Sequence, residues 1–289
     1  MATANRPLPQ RALLTGASGG IGRAIALELA SHGLALLLVG RDPVTLASQC
    51  ESLRHTGVEL GWIDADLTCV DGRARLLAVA HEWRPDLVIH NAGASHFGWL
   101  GEQTDAQISQ QLQLNLLAPI LLDRGLIGQL QQQVAAQIIH VGSVFGSLGF
   151  AGYAPYCASK FGLRGFVEAL RRELADSAIT LSYLGPRATV TALNGPAVVA
   201  MNEALGNQMD QPAQVATALW QMVVRRQPEL LLGQPEGFFA RLNQLWPRLV
   251  DRALRGRLPI IHRFAQAAVE ARGSTINPIS THPRLTENG

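Results

Sequence analysis

The sequence predicts an α/β protein: a doubly wound parallel sheet of seven strands, with helices on both faces and a helical extension towards the C-terminal end. Three observations predict it. Short apolar runs alternate with longer stretches of helical periodicity, most of the runs are continuously apolar, and a glycine-rich turn joins the first run to the first helical stretch. Continuously apolar runs suit strands covered on both faces, and strand–helix alternation implies right-handed crossovers between parallel strands.

The seven runs cover residues 12–14, 34–39, 58–63, 87–90, 137–141, 179–184 and 230–232. Helical patterns lie between them at 21–32, 71–83, 105–130 and 155–177. The Gln-rich piece 129–133 reads as a solvent-exposed helix end, and no internal repeat is visible. After Gly233 the character changes. Phe238, Phe239, Leu242, Leu245, Trp246, Leu249, Val250 and Ala253 recur at helical spacing, interleaved with Arg241, Arg248, Arg252, Arg255 and Arg257. Pro247 is expected to break or kink that helix. The chain therefore divides into a dinucleotide-binding and catalytic domain (1–233), an amphipathic helical extension (234–272) and a loose polar tail (273–289).

Composition sets bounds. Of 289 residues 47% are hydrophobic and 16% charged, enough for a large core and too apolar for global disorder. A net charge of +2 gives no reason to expect nucleic acid. Cys50, Cys69 and Cys157 are scattered, without a CxxC pair, which argues against a disulfide framework and against a metal site. The first ten residues show no basic start followed by an apolar core. No run approaches the roughly 18–20 residues of a membrane span, so a cytoplasmic location is expected. Of 24 basic residues only Lys160 is lysine, which suggests a position that needs a compact ammonium.

The turn Thr15-Gly16-Ala17-Ser18-Gly19-Gly20-Ile21-Gly22 follows the first strand and opens the first helix. Glycines let the backbone approach a pyrophosphate, and the helix N-terminus offers it free N–H groups. The spacing alone fits two dinucleotide patterns, Gly16/Gly20/Gly22 and Gly16/Gly19/Gly22. The second strand ends in Val39-Gly40-Arg41, where an NAD site usually carries a carboxylate for the ribose 2′-hydroxyl. Arg41 suits a 2′-phosphate instead, so NADP(H) is expected over NAD(H), although Asp42 is close by. Asp66, after the third strand, is read either as a partner of the adenine amino group or as the cap of the next helix.

Asn91-Ala92-Gly93 ends the fourth strand as a small-residue turn. Ser143 lies just beyond the fifth, and Tyr156 follows thirteen positions on, with Lys160 at i+4. That spacing puts Tyr156 and Lys160 on one helix face, near the start that Pro155 suits. Carbonyl reduction sends hydride to carbon and a proton to oxygen, and a phenol can supply the proton. A neighbouring ammonium is expected to favour phenolate and lower the phenol's pKa. Ser143 can hold the substrate oxygen, and Asn115 can hold a water linking Lys160 to solvent. Taken singly, such a serine reads as a turn former, such a Tyr–Lys pair as surface packing and such an asparagine as a local kink.

Together these residues resemble the short-chain dehydrogenase/reductase family: TGASGGIG at 15–22, Asp66, Asn91-Ala92-Gly93, Asn115, Ser143 and YCASK at 156–160, a resemblance covering about residues 10–233. It implies a seven-stranded Rossmann sheet and the glycine set Gly16, Gly20 and Gly22. It implies Ser143, Tyr156, Lys160 and Asn115 as catalytic residues. It also implies a cofactor contact set of Gly16, Ser18, Gly20, Ile21, Gly22, Arg41, Asp66, Leu67, Asn91, Ala92, Gly93, Tyr156, Lys160, Pro186 and Thr189, and association as a homodimer or homotetramer. One departure is Gly185-Pro186-Arg187, where the family usually has Pro-Gly, and it leaves open whether Thr189 or Thr191 makes the expected threonine contact.

The substrate side is expected among His96, Phe97, Trp99, Val144, Phe145, Leu148, Phe150, Leu193 and Met201. This apolar set suits a hydrophobic ketone, alcohol or acyl-chain substrate. The segment 238–257 has three readings: packing on the domain or a partner subunit, a lid over the pocket, or peripheral contact with a membrane surface. The rival functions are an epimerase or dehydratase on the same fold, a non-catalytic dinucleotide sensor, and a lipid-surface binding protein.

Overall fold

The computed structural model describes residues 6–233 and 236–273. Its frame is β1 (Arg11–Thr15), α1 (Gly20–Ser31), β2 (Ala35–Gly40), α2 (Pro43–Leu53), β3 (Leu60–Asp64), α3 (Val70–Trp83) and β4 (Leu87–His90). Then come α4 (Asp105–Leu112), a π-helical turn (Gln113–Leu117), α5 (Ala118–Leu130), β5 (Ala136–Val141), α6 (Ala154–Glu173) and β6 (Ile179–Gly185). The chain continues through α7 (Pro196–Ala204), α8 (Pro212–Arg225), β7 (Glu229–Leu231), α9 (Glu236–Leu245), α10 (Pro247–Arg255) and α11 (Leu258–Gly273).

The seven strands pair in parallel in the order β3-β2-β1-β4-β5-β6-β7, the doubly wound architecture expected. Strand order reverses between β1 and β4, so the connections from their carboxyl ends part and leave a crevice there. The pleat divides the interior in two. Leu14, Leu36 and Leu38 face α1 and α8, while Leu13, Leu37 and Val88 face α3, α5 and α6. Each such buried aliphatic side chain contributes about 1.5–3 kcal/mol. A third cluster lies beyond the sheet edge, where Ile261, Ala265 and Ala268 of α11 pack with Phe97, Phe150, Tyr153, Cys157, Val198 and Met201.

Three helices had no counterpart in the sequence reading: α2, α7 and α8. Asp42 caps α2, its carboxylate accepting from the Val44 N–H, and proline occupies the first turn of all three. The single pattern over 105–130 is interrupted by the π-turn, and Pro247 does break the extension, with α9 ending at Leu245 and α10 starting at the proline. Of the tail 273–289, residues 274 onward lie outside the described residues, as do 234–235 and the side chain of Arg241.

Candidate active site

A cleft of about 600 Å³ runs along the carboxyl ends of the strands, from the β1–α1 turn to the third hydrophobic cluster. At its β1 end, Gly16 takes a left-handed φ of +64°, and a Cβ there would stand 2.7 Å from the Ala92 Cα. A Cβ on Gly22 would meet the Gly16 carbonyl at 2.1 Å, and one on Gly20 the Thr191 side chain at 2.7 Å. At Gly19 it would meet only an ordinary contact at 3.4 Å. Packing therefore demands glycine at 16 and 22, against backbone, and favours it at 20, against the Thr191 side chain. Asn91 closes the turn from β4, its side-chain amide donating to the carbonyls of Thr15 and Gly16. α1 begins at Gly20 without a side-chain cap and without an acidic residue in its first turn, so its N–H groups face the cleft uncompensated.

Ser18, Ile21, Arg41, Asp66, Leu67, Ala92 and Gly93 line this end of the cleft. Arg41 is exposed, and the side chain of Asp42 is turned back onto Val44 and Thr45 of α2. Asp66 accepts from the N–H and hydroxyl of Thr68. The helix cap itself is Cys69, whose sulfur accepts from the Gly72 N–H, which corrects the reading of Asp66 as the cap. Pro186, Arg187, Thr189 and Thr191 line the opposite wall. The departure at Arg187 has a structural answer: its guanidinium donates to Asp210 Oδ1 at 2.7 and 2.9 Å and its stem lies against Gly233. The Thr189 hydroxyl donates to the Arg187 carbonyl, so the loop is tied from within.

The structure gathers Ser143, Tyr156 and Lys160 in the middle of the cleft, while Asn115 is buried beside Lys160 and does not line the cleft. Ser143 Oγ accepts from the Phe145 N–H, and the serine stands beside Tyr156 closely enough to oppose its raised pKa. Lys160 is buried, and its ammonium donates to the Val141 carbonyl at 3.1 Å. The nitrogen lies 5.7 Å from the centre of the Tyr156 ring. Burial pushes Tyr156 up to about 12 with Ser143 opposing it, and burial pulls Lys160 down to about 8. The expected lowering of the phenol by the ammonium does not govern here: desolvation does, and Tyr156 rests as a phenol, the form that donates a proton. Asn115 has a further role. Its side chain accepts from the Ala94 N–H and donates to the Ala94 carbonyl and the Ser159 hydroxyl, so that from within the π-turn it clamps the loop after Gly93.

The other end of the cleft is lined mainly by apolar side chains, with Asn202, Asn207, Gln208 and Arg257 as polar members. Val144, Phe145, Leu148, Phe150, Leu193 and Met201 line it as expected from their positions. His96, Phe97 and Trp99 do not. His96 faces Gln110, Phe97 packs on Tyr153, and Trp99 packs on His262. In their place Phe239, Val250, Ala253, Leu254 and Arg257, from α9, α10 and the turn after it, close the chamber.

Two groups escaped the sequence reading. Tyr183, buried on β6, accepts from the Ser143 N–H and donates to the Ser143 carbonyl. His90, Asp123 and His140 form a buried set behind the site, with imidazole Nε2 atoms 2.7 and 2.9 Å from the two Asp123 oxygens. Burial works to raise Asp123, but the two imidazoles override it and hold the carboxyl well below the usual range. Both nitrogens stand at hydrogen-bonding distance from the carboxylate. The signal in the sequence was a histidine at the end of one apolar strand and another one residue before the end of a second.

Comparison with known proteins agrees with this geometry. Residues 10–201 match the short chain dehydrogenase family, and the chain belongs to it. It is 32% identical to the 3-oxoacyl-[acyl-carrier-protein] reductase FabG of Pseudomonas aeruginosa over 200 residues, 68% of this chain and 81% of the relative. It is 30% identical to the uncharacterized oxidoreductase YmfI of Bacillus subtilis, over 72% of this chain and 88% of the relative. Among solved structures, a short-chain dehydrogenase from Sphingobium yanoikuyae in complex with NADPH superposes with a TM-score of 0.72 at 25% identity, covering 96% of this chain and all of that one. The chain is an oxidoreductase of this family with a dinucleotide cofactor, acting on the CH–OH/C=O pair.

Proposed function

We propose that this protein is an NADP(H)-dependent reductase of a hydrophobic ketone or acyl-chain carbonyl. The observation that carries the reading is the continuity of one cleft: glycine cradle, Ser143–Tyr156–Lys160 and an apolar chamber line the same space. The cradle fits a dinucleotide, because Cβ atoms at Gly16 and Gly22 would close the turn that an uncapped helix start faces. Support for the phosphorylated form comes from Gly40, Arg41 at the rim, and an Asp42 carboxylate committed to capping α2. The relatives add weight, since they include 3-oxoacyl reductases, and an actinorhodin polyketide ketoreductase with NADPH is a structural neighbour (TM-score 0.66, 26% identity, covering 74% of this chain and 90% of that one).

The bound nicotinamide supplies the hydride. The chain's own residues do the rest. The Ser143 hydroxyl and the Tyr156 phenol converge on one point, where a substrate carbonyl oxygen accepts both. As negative charge develops on that oxygen, Tyr156 releases its proton to it, and the Lys160 ammonium stabilises the phenolate left behind. Phe145 stands edge-on to Tyr156, with ring centres 6.5 Å apart, and Phe150 stacks on Phe145 at 5.1 Å, so the reacting carbon meets an apolar wall that excludes water.

The test is NADPH oxidation against long-chain ketones, 3-oxoacyl thioesters and small polar ketones, with NADH and Tyr156→Phe alongside. The expected result is turnover of apolar members with NADPH, falling roughly 10³-fold in Tyr156→Phe while NADPH still binds. Turnover that survives the substitution contradicts the proton donor, and preference for NADH contradicts the cofactor.

A further inference from the structure

We propose that the outer corner of α9 and α10 is a docking surface for an anionic lipid bilayer, which turns the substrate chamber towards the membrane. Four large apolar side chains stand out here: Phe238 59% exposed, Leu245 70%, Trp246 61% and Leu249 55%. Phe238 and Leu245 lie seven apart along one stripe of α9, and Trp246 and Leu249 continue it across the break at Pro247. Arg248, Arg252 and Arg255 are exposed beside them on α10, against the single exposed acid Asp251. A ridge of aromatic and aliphatic side chains flanked by arginines has the chemistry of a helix lying in a lipid interface, apolar groups in the acyl boundary and guanidinium groups among phosphates.

Charge chooses among the occupants of such a face. A second copy docked about a twofold axis would bring the same arginines of both chains together, which like-charge repulsion opposes. An anionic surface satisfies them. Adjoining positions on the same two helices, Phe239, Val250, Ala253 and Leu254, line the chamber, with Ala253 at i+4 from Leu249 on the same helix face. The ridge thus borders the chamber, and an apolar substrate dissolved in lipid has the shortest route to it there.

The inference rests on the reductase reading only for what enters the chamber, because vesicle binding needs no turnover. The experiment is co-sedimentation of the full chain with phosphatidylcholine vesicles and with vesicles containing phosphatidylglycerol. Trp246→Glu/Leu249→Glu and Arg248→Glu/Arg252→Glu are compared with the parent, together with their turnover of a water-soluble ketone. The expected result is binding to the anionic vesicles that weakens at least about tenfold in either double variant, with soluble turnover unchanged. Equal partition of parent and variants, no sedimentation with either vesicle, or a dimer that dissociates on Trp246→Glu/Leu249→Glu would each overturn it. Vesicle binding without ketone turnover would sink the reductase reading and leave the docking surface standing.

A separate observation supports a second inference: Tyr183 is a positioning residue for Ser143. Its hydroxyl accepts from the Ser143 N–H at 3.0 Å and donates to the Ser143 carbonyl at 2.8 Å, so one phenol fixes both peptide groups of the catalytic serine. The chain is hollowed around it, since Cβ atoms on Gly142 and Gly146 would each fall 2.2 Å from its hydroxyl. Tyr183→Phe keeps the ring and removes the bond, and Gly142→Ala displaces the ring. Both are expected to lower kcat about tenfold with NADPH affinity unchanged. Both should also move the pH profile of alcohol oxidation upward, because a displaced Ser143 no longer opposes the raised pKa of Tyr156. A loss of thermal stability with kcat and pH profile unmoved would reduce Tyr183 to a packing residue.

Discussion

The two ends of the cleft are built by different means. At the β1 end the backbone itself is the wall: Gly16 and Gly22 sit where no Cβ fits, and Asn91 bonds to main-chain carbonyls. At the far end the wall is side chains from elements remote in sequence, with Phe145, Met201 and Val250 brought together from the β5–α6 connection, α7 and α10. A backbone-built site tolerates few sequences. A chamber of packed apolar side chains can be refilled in many ways. The difference teaches where function is held rigid and where it is free to diverge.

The sharpest way to break that contrast is a single methyl group. Gly22→Ala forces a Cβ against the Gly16 carbonyl and is expected to abolish NADPH binding and cost roughly 3 kcal/mol, a fall of about 6–12 °C in Tm by calorimetry. Gly19→Ala, where the added atom meets only ordinary contact, should do neither. If both behave alike, the backbone at this end is not the constraint. Arg41→Ala is expected to weaken NADPH about 10- to 100-fold and leave NADH unchanged, measured by fluorescence titration.

Between the two ends, proton supply should set the pH dependence. Lys160, pulled down to about 8 by burial, is ammonium below that pH and neutral above it. Reduction, which needs the ammonium, should therefore fall as pH rises through about 8, by up to tenfold per unit, in kcat/KM measured across pH 6–10. The smallest effect belongs to the chamber. Val250→Ala should raise KM for a long-chain ketone about fivefold and leave a small ketone and NADPH affinity untouched.

The same contrast explains what the sequence revealed. Glycine spacing, Tyr156 with Lys160 at i+4, and the continuous strand runs are local, and local patterns survive in a linear string. Asn115 was visible as a residue but not in its clamp on Ala94, because a π-turn inside an otherwise helical pattern leaves no periodicity to notice. His96, Phe97 and Trp99 were assigned to the chamber from proximity to β4, yet tertiary packing turned them to Gln110, Tyr153 and His262. Tyr183 and the His90–Asp123–His140 set were unreadable for a related reason. Each is a pairing across strands and helices tens of residues apart, embedded in runs that look like plain core. Pro247 shows the opposite case, since its fixed φ and missing N–H mark a helix break in any context.

The most direct test of hydride transfer between nicotinamide and carbonyl carbon is a single turnover with NADPH carrying deuterium at both C4 positions. A long-chain ketone is the substrate, and the product is analysed by mass spectrometry. The account predicts an alcohol carrying one deuterium on the carbinol carbon. A product without label, or one formed with no net reduction, would contradict it.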